Sequence, residues 1–407
     1  GHKKRIEDNG FECVMLDYLL DSDKQELRVK GLRFILECVI SAFTQEREQA
    51  FSRRAADWEK KIAELSPDRV YLDAQCALRT ALYHKLEIPV VLVETMPLSL
   101  YDPWVPPFTS GLIPKQTGIS RLGIRLAWEK IVIARKIRNL FFSMLLCRQD
   151  YFSLYKRLFL ECGFPFEEKI DWRRPFIIGI KESKILSMNP SSLDFPRKYP
   201  PNCQYAPSRV DLNREDPMLN RRYARVMEEV CLQKQQRPDT KIIYCFSSTV
   251  MGFEKRSKII FMKIRDICLR NPQFVFILSV GKYHNTSYLL PCPSNLYVFQ
   301  QVPQLHLLSY CDLMITSGGM NSIAECIEKE VPMLVCPLSL KSDQLGNSAR
   351  VVYHGLGLRA RIKLDSSRTI EKRIVQLFEN YATFKRNLSM MRTKILAEST
   401  AINTEVI

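Results

Sequence analysis

The stretch DLMITSGGMNSIAE, residues 312–325, sets the fold of this chain. Asp312 to Thr316 is a short run suited to a buried strand. Ser317, Gly318 and Gly319 end it, and Asn321-Ser322 opens a helix that continues through Ile323, Ala324 and Glu325. Glycines between the carboxyl end of a strand and the start of a helix let the main chain approach a ligand closely. The helix start adds free N–H groups and the positive end of its dipole. Ser317, Asn321 and Ser322 contribute side-chain donors. Two readings follow. One is a capped helix after a tight turn. The other is a cradle for a diphosphate, placed where parallel sheets bind ligands.

Working outward, QQVPQ at 300–304 precedes this stretch, and the strand PMLVCP at 332–337 follows it. Beyond that strand comes SLKSDQLGNSARVVYHGLG, with the pair Asp343-Gln344 and with Asn347 one helical turn on. An acidic-amide pair can both accept from and donate to vicinal sugar hydroxyls. Strands are expected at 241–246, 274–280, 296–299, 313–316 and 333–336, each followed by a helix or loop. The first half shows a similar rhythm. It has a strand at 11–16, charged helical segments over 24–65, a strand ending at Asp73, a helix over 74–85 and a strand after Pro89. Such alternation predicts parallel sheets with right-handed crossovers. Pro207, Pro217 and Pro238 surround one charged helix and mark a linker. The expected domains are 1–205, lacking its first strand, a linker at 206–240, a second domain at 241–385, and a final helix at 386–407 packing back on the first domain.

The ordered set VPQ, LL, D, ITSGGMNSIAE, EVPM, P, DQ, N and GLG resembles the donor signature of the UDP-glycosyltransferase superfamily, macrolide-type enzymes included. That resemblance implies an α/β protein of GT-B fold, two Rossmann-like doubly wound domains facing a cleft, with 1–205 binding the acceptor and 241–385 the nucleotide-sugar donor. It also implies a donor site that includes Asn321: Val302 and Gln304 hold the base, and Ser317, Gly318, Gly319 and Ser322 hold the diphosphate. Glu325 takes the ribose, and Asp343 and Gln344 take the sugar. Ser248, after the strand IIYCFS, matches a Ser/Thr that faces the phosphates. Three positions depart from the family: Ser317 replaces a histidine, Ser247 a glycine and Gln301 an aromatic residue.

In the first half DNGFECVML, SPDRVYLD and PPFTSGLIP resemble the family more loosely. Inverting members deprotonate the acceptor hydroxyl with a histidine steered by an aspartate. Asp73 matches the aspartate, and His2 is the candidate base. The implied activity is a hexosyltransferase that inverts the anomeric centre, with a UDP- or dTDP-sugar as co-substrate, no cofactor and no metal. The implied acceptor is a small hydrophobic molecule. A catalytically silent GT-B binding or activator protein and a nucleotide-sugar epimerase of the same fold are the alternatives.

Composition narrows the classes. The 407 residues include 60 Lys and Arg against 44 Asp and Glu, a formal charge of +16. This favours phosphorylated or anionic partners. The basic residues are scattered, however, and form no nucleic-acid module, so no nucleic-acid partner is expected. Thirteen cysteines without metal or disulfide spacing read as buried small hydrophobes. No apolar stretch approaches the roughly 20 residues that span a bilayer, and the start lacks a signal core. A cytoplasmic protein is the expectation. The segment 121–148 is both apolar and basic. It suits either the wall of an acceptor pocket or a peripheral contact with an anionic membrane.

Overall fold

The computed structural model describes residues 2–14, 23–175, 178–198, 200–207, 210–212, 221–246, 254–281 and 285–400, with the backbone alone at 2, 4, 5, 23–25 and 254. The chain divides into two units. The first is 1–93 with 129–185, and the second is 94–128 with 186–407.

In the first unit, helices Leu32–Thr44 and Glu46–Leu65 lead to strand β1 (Val70–Asp73). A parallel partner, β2 (Val90–Glu94), follows, with Val70 opposite Val90 and Asp73 opposite Val93. β2 is rich in valine, whose branched side chain suits the pleated surface. Between them the expected single helix is two: a 3-10 segment, Ala74–Arg79, then α-helix Thr80–Lys85. The tighter start has a cause, because the Asp73 carboxylate accepts from the N–H of Gln75 at 2.7 Å. Phe11 to Val14, expected as the start of a strand, form none; the remainder of that stretch lies outside the described residues. Two short antiparallel strands, β3 (Ile170–Asp171) and β4 (Gly179–Ile180), complete this unit.

Strands β5 (Lys184–Ser187) and β6 (Cys203–Tyr205) follow, then a charged helix, Arg221–Gln236. The second unit is built on β7 (Lys241–Phe246), β8 (Phe274–Ser279), β9 (Leu296–Phe299), β10 (Leu313–Thr316), β11 (Met333–Val335) and β12 (Gly357–Arg359). They form one six-stranded sheet in the order β12-β11-β10-β7-β8-β9, parallel throughout. Its residues are buried on both faces, as covered parallel sheets require. The chain runs outward from β7 to β9, then returns to lay β10 on the other side of β7. That reversal is the switch point at which such sheets bind ligands.

Asp312 anchors the return. Its carboxylate takes Lys234 Nζ at 2.7 and 2.8 Å and the N–H of Ile242 at 2.8 Å, fixing the start of β10 beside β7. A buried ion pair, Asp194 with Arg350, lies in the same unit at 2.5 and 3.0 Å. Arg197 Nε stands 3.0 Å from the other carboxylate oxygen, an ion pair without hydrogen-bond geometry. The last helix, Tyr381–Thr400, ends with Glu398 accepting from the N–H groups of Ser191 and Ser192, each at 2.8 Å, and from the Ser191 hydroxyl at 3.0 Å.

Candidate functional site

β10 ends at Thr316, and the chain turns into helix Met320–Glu328 within three residues. The turn depends on Gly318. Its φ is +88°, and a Cβ there would stand 2.7 Å from the Val335 side chain. Its N–H donates to Thr316 Oγ1 at 3.2 Å. A Cβ at Gly319 would meet nothing within 4 Å, so the main chain there is open to a ligand. The first intrahelical bond runs from the N–H of Ile323 to the Gly319 carbonyl. The N–H groups of Met320, Asn321 and Ser322 therefore precede the helical ladder, and the dipole end adds positive potential.

The structure brings Gln304, Ser322 and Glu325 into one hydrogen-bonded group. Gln304 opens helix Gln304–Leu308. Its Nε2 donates to Glu325 Oε2 at 2.7 Å and more weakly to Ser322 Oγ at 3.4 Å. Its Oε1 accepts from the Tyr244 hydroxyl at 3.0 Å. Ser322 and Glu325 share a face because they stand three residues apart on one helix. An ionised carboxylate there accepts hydrogen bonds only, which suits a diol. Val302 is buried among the core residues around Tyr244 and Ile323, so only its backbone remains for a base.

A second group involves Asp343, Gln344 and Asn347. Asn347 is fully buried, and its Nδ2 donates to the Gly318 carbonyl at 2.9 Å and to Asp343 Oδ2 at 2.8 Å. The phosphate-type turn and the acidic residue are thus tied by one side chain. Burial pushes the Asp343 carboxyl above its usual range, and the Asn347 bond opposes that rise. Gln344 has its Oε1 committed, accepting from the N–H groups of Leu338 and Ser339, both at 2.8 Å. Only its Nε2 side remains for a ligand.

Other expected residues lie elsewhere or beyond description. Asn321 is exposed and points away from the Gln304 group, on the face of its helix that carries Ala324 and Glu328. Ser317 is buried at the end of β10. Ser248 lies outside the described residues, as does the side chain of His2, whose backbone opens helix His2–Asp8. Asp73 is exposed at the end of β1 and holds the Gln75 N–H. Tyr244 was not legible as a site residue. In KIIYCF it reads only as one more buried position, and its hydroxyl finds Gln304 across sixty residues.

With this geometry in place, comparison with known proteins is informative. Residues 285–397 match the family model for UDP-glucoronosyl and UDP-glucosyl transferase. The NDP-glycosyltransferase YjiC of Bacillus subtilis is 37% identical over 98 residues, 24% of this chain and 24% of that protein. A zeaxanthin glucosyltransferase of Pantoea ananas is 34% identical over 101 residues, 25% of this chain and 22% of the relative. The aligned stretch thus spans about a quarter of the length of these curated relatives. Solved structures agree over far more of the chain. The kitacinnamycin glycotransferase has a TM-score of 0.60 at 18% identity, covering 97% of this chain and 85% of that one. The calicheamicin glycosyltransferase CalG4 gives 0.58 at 15%, covering 97% and 84%. The fold is therefore GT-B. The likeness to the UDP-glucoronosyl and UDP-glucosyl transferase family is carried by residues 285–397.

Proposed function

We propose that this chain is a glycosyltransferase that moves a sugar from a UDP- or dTDP-linked donor to a hydroxyl of a small hydrophobic acceptor, with inversion at the anomeric carbon. One observation carries the reading. The motif residues form two hydrogen-bonded groups, Tyr244–Gln304–Glu325 and Gly318–Asn347–Asp343, at the switch point of a parallel sheet. In this reading Gln304 and Glu325 hold base and ribose. Ser317, Gly318, Gly319, Ser322 and the free N–H groups of helix Met320–Glu328 receive the diphosphate. Asp343 and Gln344 Nε2 bind the sugar. As the acceptor oxygen attacks, charge builds on the departing diphosphate, and preorganised N–H donors stabilise that charge best. A base removes the hydroxyl proton, with His2 as the candidate and Asp73 Oδ2 as its steering group. A relative named for zeaxanthin supports a hydrophobic acceptor.

The test is a mass-spectrometric screen of hydroxylated hydrophobic compounds against UDP- and dTDP-sugars. A glycoside of inverted configuration supports the proposal. An epimerised donor, or donor bound without turnover, replaces it with the corresponding alternative.

The helix Gly118–Leu145 adds a location to this reading. Its residues Ile119, Leu122, Leu126, Ile133, Ile137, Leu140 and Met144 are all exposed, from 56% to 87%, and their spacing puts them on one face. Arg121, Arg125, Lys130, Lys136 and Arg138 are exposed beside them. Arg135, in the same helix, is buried instead and donates to the carbonyls of Trp172 and Arg174 at 2.6 and 2.5 Å. No described helix is long and apolar enough to cross a membrane. An exposed apolar stripe flanked by cations suits an anionic lipid surface better than the wall of a pocket.

A further inference from the structure

Residues 94–128 precede every donor motif in the chain, yet they belong to the second unit, with the six-stranded sheet. Within them the segment 102–113 is firmly held. At its start the Asp102 carboxylate accepts from the N–H groups of Trp104 and Val105, at 2.7 and 3.2 Å. The Val105 carbonyl accepts from Trp128 Nε1 at 2.9 Å, and both residues are buried. Pro106 and Pro107 follow, and their rings fix φ at the next two positions. The chain arrives at Phe108 with little freedom left.

There it meets helix Gln344–Tyr353. The Phe108 carbonyl accepts from the N–H of Gly346 at 3.0 Å, and the Gly111 carbonyl from Arg359 Nη1 at 2.5 Å. Val105 packs with Ala349 and Phe195, and Ile113 lies against them. At about 3.6 residues per turn, Leu345 and Ala349 share a face opposite the one that carries Asp343 and Asn347. The segment therefore braces the back of a helix whose front presents Asp343 and Gln344. Arg359 completes the brace. It ends β12, the edge strand of the sheet, so its bond to Gly111 ties the segment to that edge.

The placement of this helix matters because hydroxyls are read by directional bonds, which weaken outside roughly 2.7–3.2 Å. A shift of about 1 Å at the helix start would leave Asp343 and Gln344 Nε2 unable to hold one orientation of a sugar. The base and ribose depend on other elements, the Gln304–Glu325 pair above all. We infer that the segment 102–113 positions the donor sugar, with Arg359 as a positioning residue that acts through Asp343 and Gln344. This inference rests on the reading of those two residues as the sugar-binding pair of a glycosyltransferase. It makes sugar selectivity depend on a stretch of chain more than 200 residues before the motif that binds the sugar.

Three variants test it. Arg359→Met keeps the length of the side chain and removes its donors. Arg359→Lys keeps one cationic donor group. Asp102→Ala frees the N–H groups of Trp104 and Val105 at the other end of the segment. Calorimetry measures Kd for UDP and dTDP, and for UDP-glucose, UDP-galactose and dTDP-glucose. Arg359→Met and Asp102→Ala should weaken the tightest of the three sugars about three- to tenfold and leave its parent diphosphate unchanged, and Arg359→Lys should recover most of the loss. Selectivity between UDP-glucose and UDP-galactose should narrow in the same two variants, a change that mere destabilisation would not produce. Unchanged sugar affinity in both folded variants, or equal losses for sugar and parent diphosphate, would overturn the positioning role. A wild type that binds each sugar no differently from its parent would overturn the sugar-binding pair and the positioning role together. The transferase reading itself stands or falls on the product screen, which these affinities do not use.

Discussion

The backbone N–H of Gly346 donates to the carbonyl of Phe108 at 3.0 Å, and a Cβ at 346 would stand 2.1 Å from that oxygen. The two chain segments meet backbone to backbone, and only glycine allows it. Gly346 lies in the first turns of helix Gln344–Tyr353, between Gln344 and Asn347. Gly346→Ala must push the helix or the 108 segment aside. We expect it to lower stability by about 1–3 kcal/mol and to weaken donor-sugar use by displacing Asp343 and Asn347. Denaturant unfolding checks the first effect, and an unchanged midpoint refutes the close approach.

Glu325→Ala removes the carboxylate that Gln304 Nε2 meets at 2.7 Å. Affinity for UDP and dTDP should fall by about 1–3 kcal/mol through loss of a charge-assisted bond to ribose. Calorimetry with both nucleotides measures it. Equal affinity in wild type and variant removes Glu325 from the nucleotide site.

Gln344 has two sides, and two variants separate them. Gln344→Ala deprives the N–H groups of Leu338 and Ser339 of their acceptor, so stability should fall by about 1–3 kcal/mol. Gln344→Glu keeps an oxygen for both N–H groups and deletes only the Nε2 donor. Its fold should hold, and turnover of the nucleotide sugar should drop while free UDP binds as before. If UDP and the nucleotide sugar lose affinity equally in Gln344→Glu, the residue serves the nucleotide and not the sugar.

Asp194 predicts a pH dependence. Burial alone would raise its carboxyl pKa, but Arg350 and Arg197 outweigh burial and hold it below the usual range. A depressed carboxyl contributes stability above its unfolded value of about 3.9 and loses it as pH falls through the lower folded value. Stability should therefore decline on the acid side in part through this group. Asp194→Asn should flatten that portion of the curve and cost about 3–5 kcal/mol at neutral pH, since two buried guanidiniums lose their counter-charge. Urea titrations from pH 7 to pH 3 compare the two proteins, and parallel curves refute the linkage.

For the exposed stripe, co-sedimentation with phosphatidylserine-containing vesicles should show binding at low salt that declines as salt rises. The double variant Ile137→Glu with Leu140→Glu should abolish it. Binding that survives the double variant moves the contact to another surface.

Five of the six strands of the second sheet were legible because each holds a continuous apolar run between turn residues, whereas β12, with only GLR, carries no such run and was not expected. KIIYCF, LYVF and LMIT occupy the expected bounds. The donor motif was legible for a related reason: its strand, glycine turn and helix are consecutive, so spacing alone sets which side chains meet. The strand expected from Phe11 fails in its described part, where Phe11 is 68% exposed and buries no face. Asp194 with Arg350, 156 residues apart, and Gly346 with Phe108 had no local signature. Period and propensity report which side of an element is buried, not which distant residue it meets. Tyr244 and the committed oxygen of Gln344 escaped notice for the same reason.

The Glu398 carboxylate reaches residues that precede it by more than 200 positions. During synthesis, Ser191 and Ser192 emerge roughly 10–40 s before their acceptor does, at about 5–20 residues per second. The second unit, whose chain is already interrupted by 129–185, cannot close until residue 398 has been made. Between the making of β12 and that of helix Tyr381–Thr400, the finished sheet stands without Leu388 and Met391 against its core, and that apolar surface needs shelter for the interval.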